Sequence, residues 1–432
     1  MKRYAAALLL AAGGLAMGEA GAELRAGAAR ASINPVEARL PAQLGGYGER
    51  QGKPATGTHD TIQAKAVIFE HDGARSALVA LDVCHQPRAL VERALAKAGV
   101  PGLAFENTLF VASHTHAGLE GMSMDPRNIA NNPNIGIFDE QILEFVAERV
   151  AGALREAAGA LRPVRAGVGA VTLPGMNRNR RHNDAPTDQD MTVLRLDTED
   201  GRPYVVLVNY AAHGTIMTPE IMQVSGGWPG VMQRTVEELI GGDVTCLYVN
   251  GAEGDVAPAG YHGGSRWEMA EQYGRRAGIA AWRVFEAVRT EPVAVFRVLT
   301  RVMDLPPQRP APDFLKIAGE EYQVDEAQLS MLLGVLFPAQ APLYGFRVND
   351  FAMITYPGEP ITAIGLHAKA ALRAGGIRYP AVGALTNDLI GYILTAEEYA
   401  QSGYEVTASF YGDGLGAVVV AEAAALAAQL AE

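Results

Sequence analysis

The sequence predicts an α/β fold: mixed β-sheets flanked by helices, in a layered α/β/β/α arrangement with two similar halves. Three observations carry this. Three segments of the chain follow one plan, in which an apolar run, a helix-like stretch and a further apolar run succeed one another. Every chemically suggestive group lies just after one of those runs, where α/β sheets place their sites because strand ends and helix N-termini meet there. A length of 432 residues with 49% hydrophobic content is enough to bury one large core or two moderate ones.

In the first segment, residues 66–70 turn at Asp72-Gly73 into residues 76–82, and an Asp-Gly between apolar runs is a strong hairpin signal. A helix over 88–98 follows, then a strand running into Phe110-Val111-Ala112-Ser113-His114-Thr115-His116-Ala117-Gly118. The second segment repeats this order. Residues 191–196 turn at Asp200-Gly201 into 204–210, ending at His213; a helix over 231–240 and a strand over 244–249 lead to Asn250-Gly251-Ala252-Glu253-Gly254-Asp255. In the third, 351–355 leads to Tyr356-Pro357-Gly358-Glu359-Pro360, a helix over 361–373, a strand over 381–385 and the loop Thr386-Asn387-Asp388. The match between the first two segments suggests the two halves.

Other elements read as packing. Residues 138–161 place Ile142, Phe145, Val146, Val150, Leu154 and Leu161 along one helical stripe. Ser265-Arg266-Trp267-Glu268 is a capping-box pattern opening a helix to about Val288. Prolines crowded at both ends of 306–342 read as an irregular insertion, a rim over the site. Residues 417–430 form an Ala-rich helix. No low-complexity linker divides residues 23–432, which therefore read as one domain.

The first 22 residues read as a signal peptide. Lys2 and Arg3 form its positive end, 5–17 is apolar, and Ala20-Gly21-Ala22 is a small-residue cleavage site. Gly13, Gly14 and Gly18 interrupt a run already short of the roughly 20 residues a membrane span needs. The expectation is an exported protein, periplasmic or secreted. A net charge of −12 without any Lys/Arg cluster excludes nucleic-acid binding. Export permits a disulfide between Cys84 and Cys246. Each, however, sits in an apolar strand-like run, where a buried free thiol is the commoner outcome.

His114 and His116 leave one face of a strand end, and imidazole nitrogen is the commonest protein ligand for zinc. His-x-His alone is equally readable as two polar loop residues. The second strand that ends in His-Gly, at His213-Gly214, favours a metal.

Taken in order, these loops resemble the neutral/alkaline non-lysosomal ceramidase family, from about Arg30 to Tyr411. The likeness rests on Gly45-Gly46-Tyr47, Gly57-Thr58-His59-Asp60, Ser113-His114-Thr115-His116-Ala117-Gly118 (similar to Thr-His-Thr-His-Ser-Gly), and Asn177-Arg178-Asn179-Arg180. It continues through Ala212-His213-Gly214-Thr215, Gly254-Asp255-Val256, Pro357-Gly358-Glu359, Thr386-Asn387-Asp388 to Tyr392, Glu397-Glu398-Tyr399 and Tyr404-Glu405. The resemblance implies zinc held by His114, His213, Glu359 and Tyr404, a mixed nitrogen and oxygen set suited to a catalytic site. It places His116, Arg180 and Tyr392 around the scissile group, where each donor to an oxyanion is worth roughly 3–4 kcal/mol. Arg178 takes that role if the register slips by two. Asp255 is expected to accept a proton or to orient a catalytic histidine. From the residues alone, Tyr404 also reads as a core tyrosine with a satisfied hydroxyl, and Glu359 as a carboxylate favoured by a helix N-terminus.

Three departures stand out. Ala257 occupies the position of a family serine that has been considered a nucleophile, which leaves zinc-activated water for that role. Ser225-Gly226-Gly227-Trp228 lacks an acidic residue usual in the family. The β-sandwich that follows the catalytic domain in many relatives is expected to be absent. The implied function is an exported zinc-dependent hydrolase of an N-acyl bond, acting on a long-chain N-acyl lipid or a smaller amide or ester, with peripheral contact to lipid surfaces. Two rivals are a metal-retaining lipid-binding protein without turnover and a zinc hydrolase of another bond, such as a phosphate ester.

Overall fold

The computed structural model describes residues 23–432, so the signal-peptide expectation for 1–22 lies outside the described residues. One unit of four strands and two helices occurs three times. In the first copy, β1 (Arg25–Ser32), β2 (Gln63–His71) and β3 (Ala74–Leu81) form an antiparallel meander. Helix α1 (Arg88–Ala98) crosses back, β4 (Thr108–Ala112) lies parallel to β3, and α2 (Glu140–Gly159) follows. The second copy is β5 (Arg162–Thr172), β6 (Asp190–Thr198), β7 (Pro203–Tyr210), α3 (Gly227–Ile240), β8 (Thr245–Asn250) and α4 (Arg266–Ala287), paired the same way. The third is β9 (Phe296–Asp304), an insertion holding α5 (Glu326–Leu336), then β10 (Gln340–Val348), β11 (Phe351–Thr355), α6 (Thr362–Ala374), β12 (Tyr379–Gly383) and α7 (Leu415–Ala431).

Copies one and two join where β1 runs antiparallel to β5, giving an eight-stranded sheet of order β8-β7-β6-β5-β1-β2-β3-β4. The third copy forms its own sheet, β9-β10-β11-β12. The two expected halves are present, and a third copy of their unit builds the second sheet.

The layers follow from where the apolar side chains go. Successive strand residues face opposite sides, so Ile68 packs with α1 and α2 while Val67 and Phe69 meet Phe346, Phe351 and Met353 of the small sheet. Helices α3 and α4 cover the second half through Met232, Val236 and Ala277. Helices α6 and α7 close the far side of the small sheet with Leu372, Leu426 and Leu430. Both faces of the central strands are dry, which is why they read as unbroken apolar runs.

Local signals hold where the chemistry is unambiguous. The Asp72-Gly73 turn takes φ of 51° and 74°, as a tight hairpin requires. The Ser265 side chain accepts from the Glu268 amide and Glu268 accepts from the Ser265 amide, opening α4. Residues 306–342 are not irregular throughout: helices Phe314–Ile317, Gly319–Tyr322 and α5 form there before the chain enters β10. Cys84 and Cys246 are free and buried. Among the described residues no helix is long and apolar enough to cross a membrane.

Candidate metal centre

The loops leaving the C-terminal ends of the third and fourth strands of all three copies meet at one end of the sheets. His114 follows β4 with φ of 60°, a left-handed conformation rare for a residue with a side chain and common at functional sites. Its loop lies against the one after β7 through a bridge between Thr115 and Gly214. A Cβ at Gly214 would stand 2.0 Å from the His114 carbonyl oxygen, so the glycine after His213 is what lets the two loops touch. Glu359 follows β11 and sits in a short parallel ladder opposite Tyr392.

These placements bring three electron-pair donors face to face. Glu359 Oε2 lies 3.1 Å from His213 Nε2 and 3.4 Å from His114 Nε2. All three residues are buried. The opposite ring nitrogens are committed: His114 Nδ1 donates to the Cys84 carbonyl and His213 Nδ1 to the Glu253 carbonyl, each at 2.7 Å. With the protons on Nδ1, both Nε2 lone pairs face a carboxylate oxygen that has no hydrogen-bond partner. Three such donors converging with no proton between them fit a cation. Burial works against charge on Glu359, but the two imidazoles outweigh it and hold its carboxyl well below the usual range. Burial, followed by the Arg180 charge, pulls His213 down to about 4.

The other expected residues surround this centre. His116 Nε2 stands 3.4 Å from His114 Nε2, and its ring meets Tyr47 edge-on. Gly46, with φ of 92°, lets the chain pass over that ring, since a Cβ there would be 2.3 Å from His116 Nδ1. Arg180 donates to the Tyr392 hydroxyl at 2.9 Å, to Glu405 at 2.8 Å and to the Gly254 carbonyl at 3.0 Å. Arg178 is exposed, and Arg180 is the one of the two that reaches Tyr392. The Tyr392 hydroxyl, expected beside the scissile group, lies 3.2 Å from His213 Nε2. The Tyr404 hydroxyl, expected among the ligands, is bonded instead to Tyr322 at 3.2 Å. The reason is the backbone: the ladder with Glu359 seats Tyr392 at the centre, whereas Tyr404 opens a short helix and is 38% exposed.

Asp255 orients no histidine. Its carboxylate accepts from the amide and hydroxyl of Thr362 and from Asn179, all at 2.7 Å, and so caps α6. The turn does steady His213, but through the Glu253 carbonyl. Both Glu253 carboxylate oxygens are buried without partners, and burial, reinforced by Glu359, pushes that group well above the usual carboxylate range. Ala257 lies in a short ladder opposite Arg178 and off the cavity wall. Where the acidic residue after Ser225-Gly226 is missing, Asp60 accepts from the Ser225 hydroxyl and the Gly226 amide. Trp228 donates to the His213 carbonyl at 2.9 Å. Sequence reasoning missed Trp228, Glu253 and Arg50. Arg50 binds the carbonyls of Gly45 and His116, and nothing in Gly48-Glu49-Arg50 signals it.

The centre forms one end of a cavity of about 190 Å³, to which Cys84, His114, His116, Glu359, Tyr392 and Tyr404 contribute. Most of the rest of the wall is apolar, with Leu329, Leu332, Leu333 and Leu336 of α5, Phe337 and Phe410, and His85, Glu120 and Asn134 as its further polar members. The insertion does form the expected rim.

The molecule is thus an α/β protein with a buried cluster of nitrogen and oxygen donors at its strand ends, opening into a mostly apolar cavity. The chain belongs to the neutral/alkaline non-lysosomal ceramidase family, whose N-terminal domain matches residues 38–260, just over half of it. It is 24% identical to neutral ceramidase B of Dictyostelium discoideum over 255 residues, 53% of this chain and 34% of that protein. The match thus spans about a third of that relative's length. The fold is that of the neutral ceramidase from Pseudomonas aeruginosa, with a TM-score of 0.80 at 21% identity over 95% of this chain and 75% of the other. A ceramidase complexed with C2 superposes with a TM-score of 0.79 at the same identity and coverage. Family and fold together place this chain among the neutral/alkaline ceramidases.

Proposed function

We propose that the protein is an exported, zinc-dependent amide hydrolase that cleaves the N-acyl bond of a lipid-like substrate. The observation that carries this reading is the convergence of His114 Nε2, His213 Nε2 and Glu359 Oε2 at one end of a mostly apolar cavity. Two imidazoles and a carboxylate suit zinc better than magnesium or calcium, which prefer all-oxygen shells. Tyr392 is assigned as the fourth donor in place of Tyr404, because its hydroxyl is the one beside His213 Nε2. Zinc bound there supplies a Lewis acid and brings the pKa of water toward about 7.

The chain's own groups do the remaining work. Arg180 donates to the Tyr392 oxygen and leaves its lone pairs directed to the centre. His116 offers a ring N–H toward the carbonyl oxygen as it gains charge. Tyr404, whose hydroxyl stands on the wall, is placed to donate to the same substrate group. The α5 leucines exclude water and hold an alkyl chain. Ala257 removes no group from the cavity, so water remains the nucleophile.

The test is metal content of wild type and His213→Ala, followed by hydrolysis of an N-lauroyl amide. About one zinc per chain with turnover in wild type, both lost in the variant, is expected. Zinc without turnover of any N-acyl compound overturns the reading in favour of a binding protein, and turnover of phosphate esters alone in favour of another hydrolase. Export predicts that the protein recovered outside the cytoplasm begins at Glu23.

A further inference from the structure

We propose that Glu120 and His85 form a subsite that receives the amine half of the substrate as a primary aliphatic ammonium. The inference rests on the amide-hydrolase reading and names which amides fit it. Hydrolysis of an amide by one water breaks the C–N bond and forms a C–O bond, giving a carboxylic acid and a primary amine. At neutral pH the acid's proton passes to the amine, so a carboxylate and an ammonium must leave the same cavity.

Glu120 lies on the cavity wall near His114 and His116. Four buried carboxylates of this molecule have a cation: Asp125 and Asp388 share Arg127, Glu405 takes Arg180 and Arg181, and Asp188 takes Lys369, whereas Glu253 and Asp255 have none but do not line the cavity. Among the described residues Glu120 has no Lys or Arg partner. Its oxygens accept only from backbone, the Met122 amide at 3.2 Å and the Gly46 amide at 3.4 Å, and keep lone pairs free. The charge of Arg50 reaches it, but that guanidinium donates to the carbonyls of Gly45, His116, Thr218 and Pro219.

The second observation is independent. His85 is 8% exposed and lines the same cavity, yet its Nε2 has no hydrogen-bond partner. It stands 3.7 Å from Glu120 Oε1, too far to bond and close enough for one donor group to reach both. An ammonium carries three N–H donors and a charge, and the Tyr47 and Tyr322 rings on the wall suit a cation's approach. A second metal fits less well. The clusters of three or more metal-ligating side chains among the described residues are Cys84–His114–His116 and His114–His213–Glu359, and neither includes Glu120 or His85.

The test titrates the purified, metal-loaded protein with 1-octylamine and with 1-octanol at pH 7 by calorimetry. Wild type is expected to favour the amine by about tenfold or more, as a charge-assisted hydrogen bond implies. Glu120→Gln should bring the ratio close to one, and Glu320→Gln, on the exposed side of the insertion, should leave it unchanged. No preference in wild type overturns the proposal without any variant. A preference that survives Glu120→Gln, or falls equally in Glu320→Gln, overturns it too and points to the metal or to general surface charge. Loss of amide turnover with the ratio intact would sink the hydrolase reading and leave the ammonium subsite standing.

Discussion

Each histidine of the donor cluster is fixed from behind. The Cys84 and Glu253 carbonyls set the tautomers, and Trp228 holds the His213 backbone, so the Nε2 atoms are aimed before any ligand arrives. The tyrosines give the sharpest residue-scale prediction. Tyr392→Phe should weaken zinc binding by about tenfold or more, measured by competition with a chelator, whereas Tyr404→Phe should keep the metal and lose rate. Gly46→Ala places a Cβ against His116 Nδ1 at φ of 92° and should destabilise by about 1–3 kcal/mol. Its activity should fall further than its metal content, which denaturant titration and metal analysis together would reveal. His114 and His213 were legible in the sequence because each closely follows a strand in a glycine-containing turn, whereas Glu359 was legible through the family likeness. The choice between Tyr392 and Tyr404 was not, since the two-residue ladder with Glu359 decides it. Asp255 misled for the same kind of reason: a carboxylate in a glycine-rich turn looks free until α6 arrives from a hundred residues away to take it.

At the scale of elements, the insertion between β9 and β10 contributes most of the apolar cavity wall. From Ala327 to Leu336 no residue of α5 is charged, and Leu329, Leu332, Leu333 and Leu336 face the cavity. Leu332→Asp should reduce kcat/KM for a long-chain N-acyl substrate by about tenfold or more, because a buried carboxylate there has no partner. An acetyl substrate should be spared, and equal loss on both would show that the wall does not bind the chain. The prolines hid these helices, which a composition rich in breakers does not announce. Strands β1 and β5 escaped notice as well. Their Arg, Ala and Gly residues carry little β signal, and pairing on both sides holds them in the sheet. The hairpins at Asp72-Gly73 and Asp200-Gly201, and helix α1 with its observed ends, were readable because local chemistry fixes them.

At the scale of the molecule, one unit repeated three times supplies one member of the donor cluster per copy: His114 from the first, His213 from the second, Glu359 from the third. Two copies were visible as matching hairpins; the third showed the same strand, helix and strand over 351–385, but its insertion concealed β9 and β10. Asn387 ties the third copy to the first by bonding both the Phe110 amide and the Thr108 carbonyl of β4. A cation at the centre joins all three copies, so chelation should lower Tm by several degrees, consistent with about 3 kcal/mol at a hundredfold excess over Kd. His213→Ala should already show the lower Tm and should not respond to chelator. The most direct measurement of the central claim is anomalous diffraction at the zinc edge from crystals of the purified protein. The account predicts one strong peak bounded by His114 Nε2, His213 Nε2 and the Glu359 carboxylate, with the Tyr392 hydroxyl beside it. A zinc-loaded crystal with no peak there, or with its peak elsewhere, would contradict it.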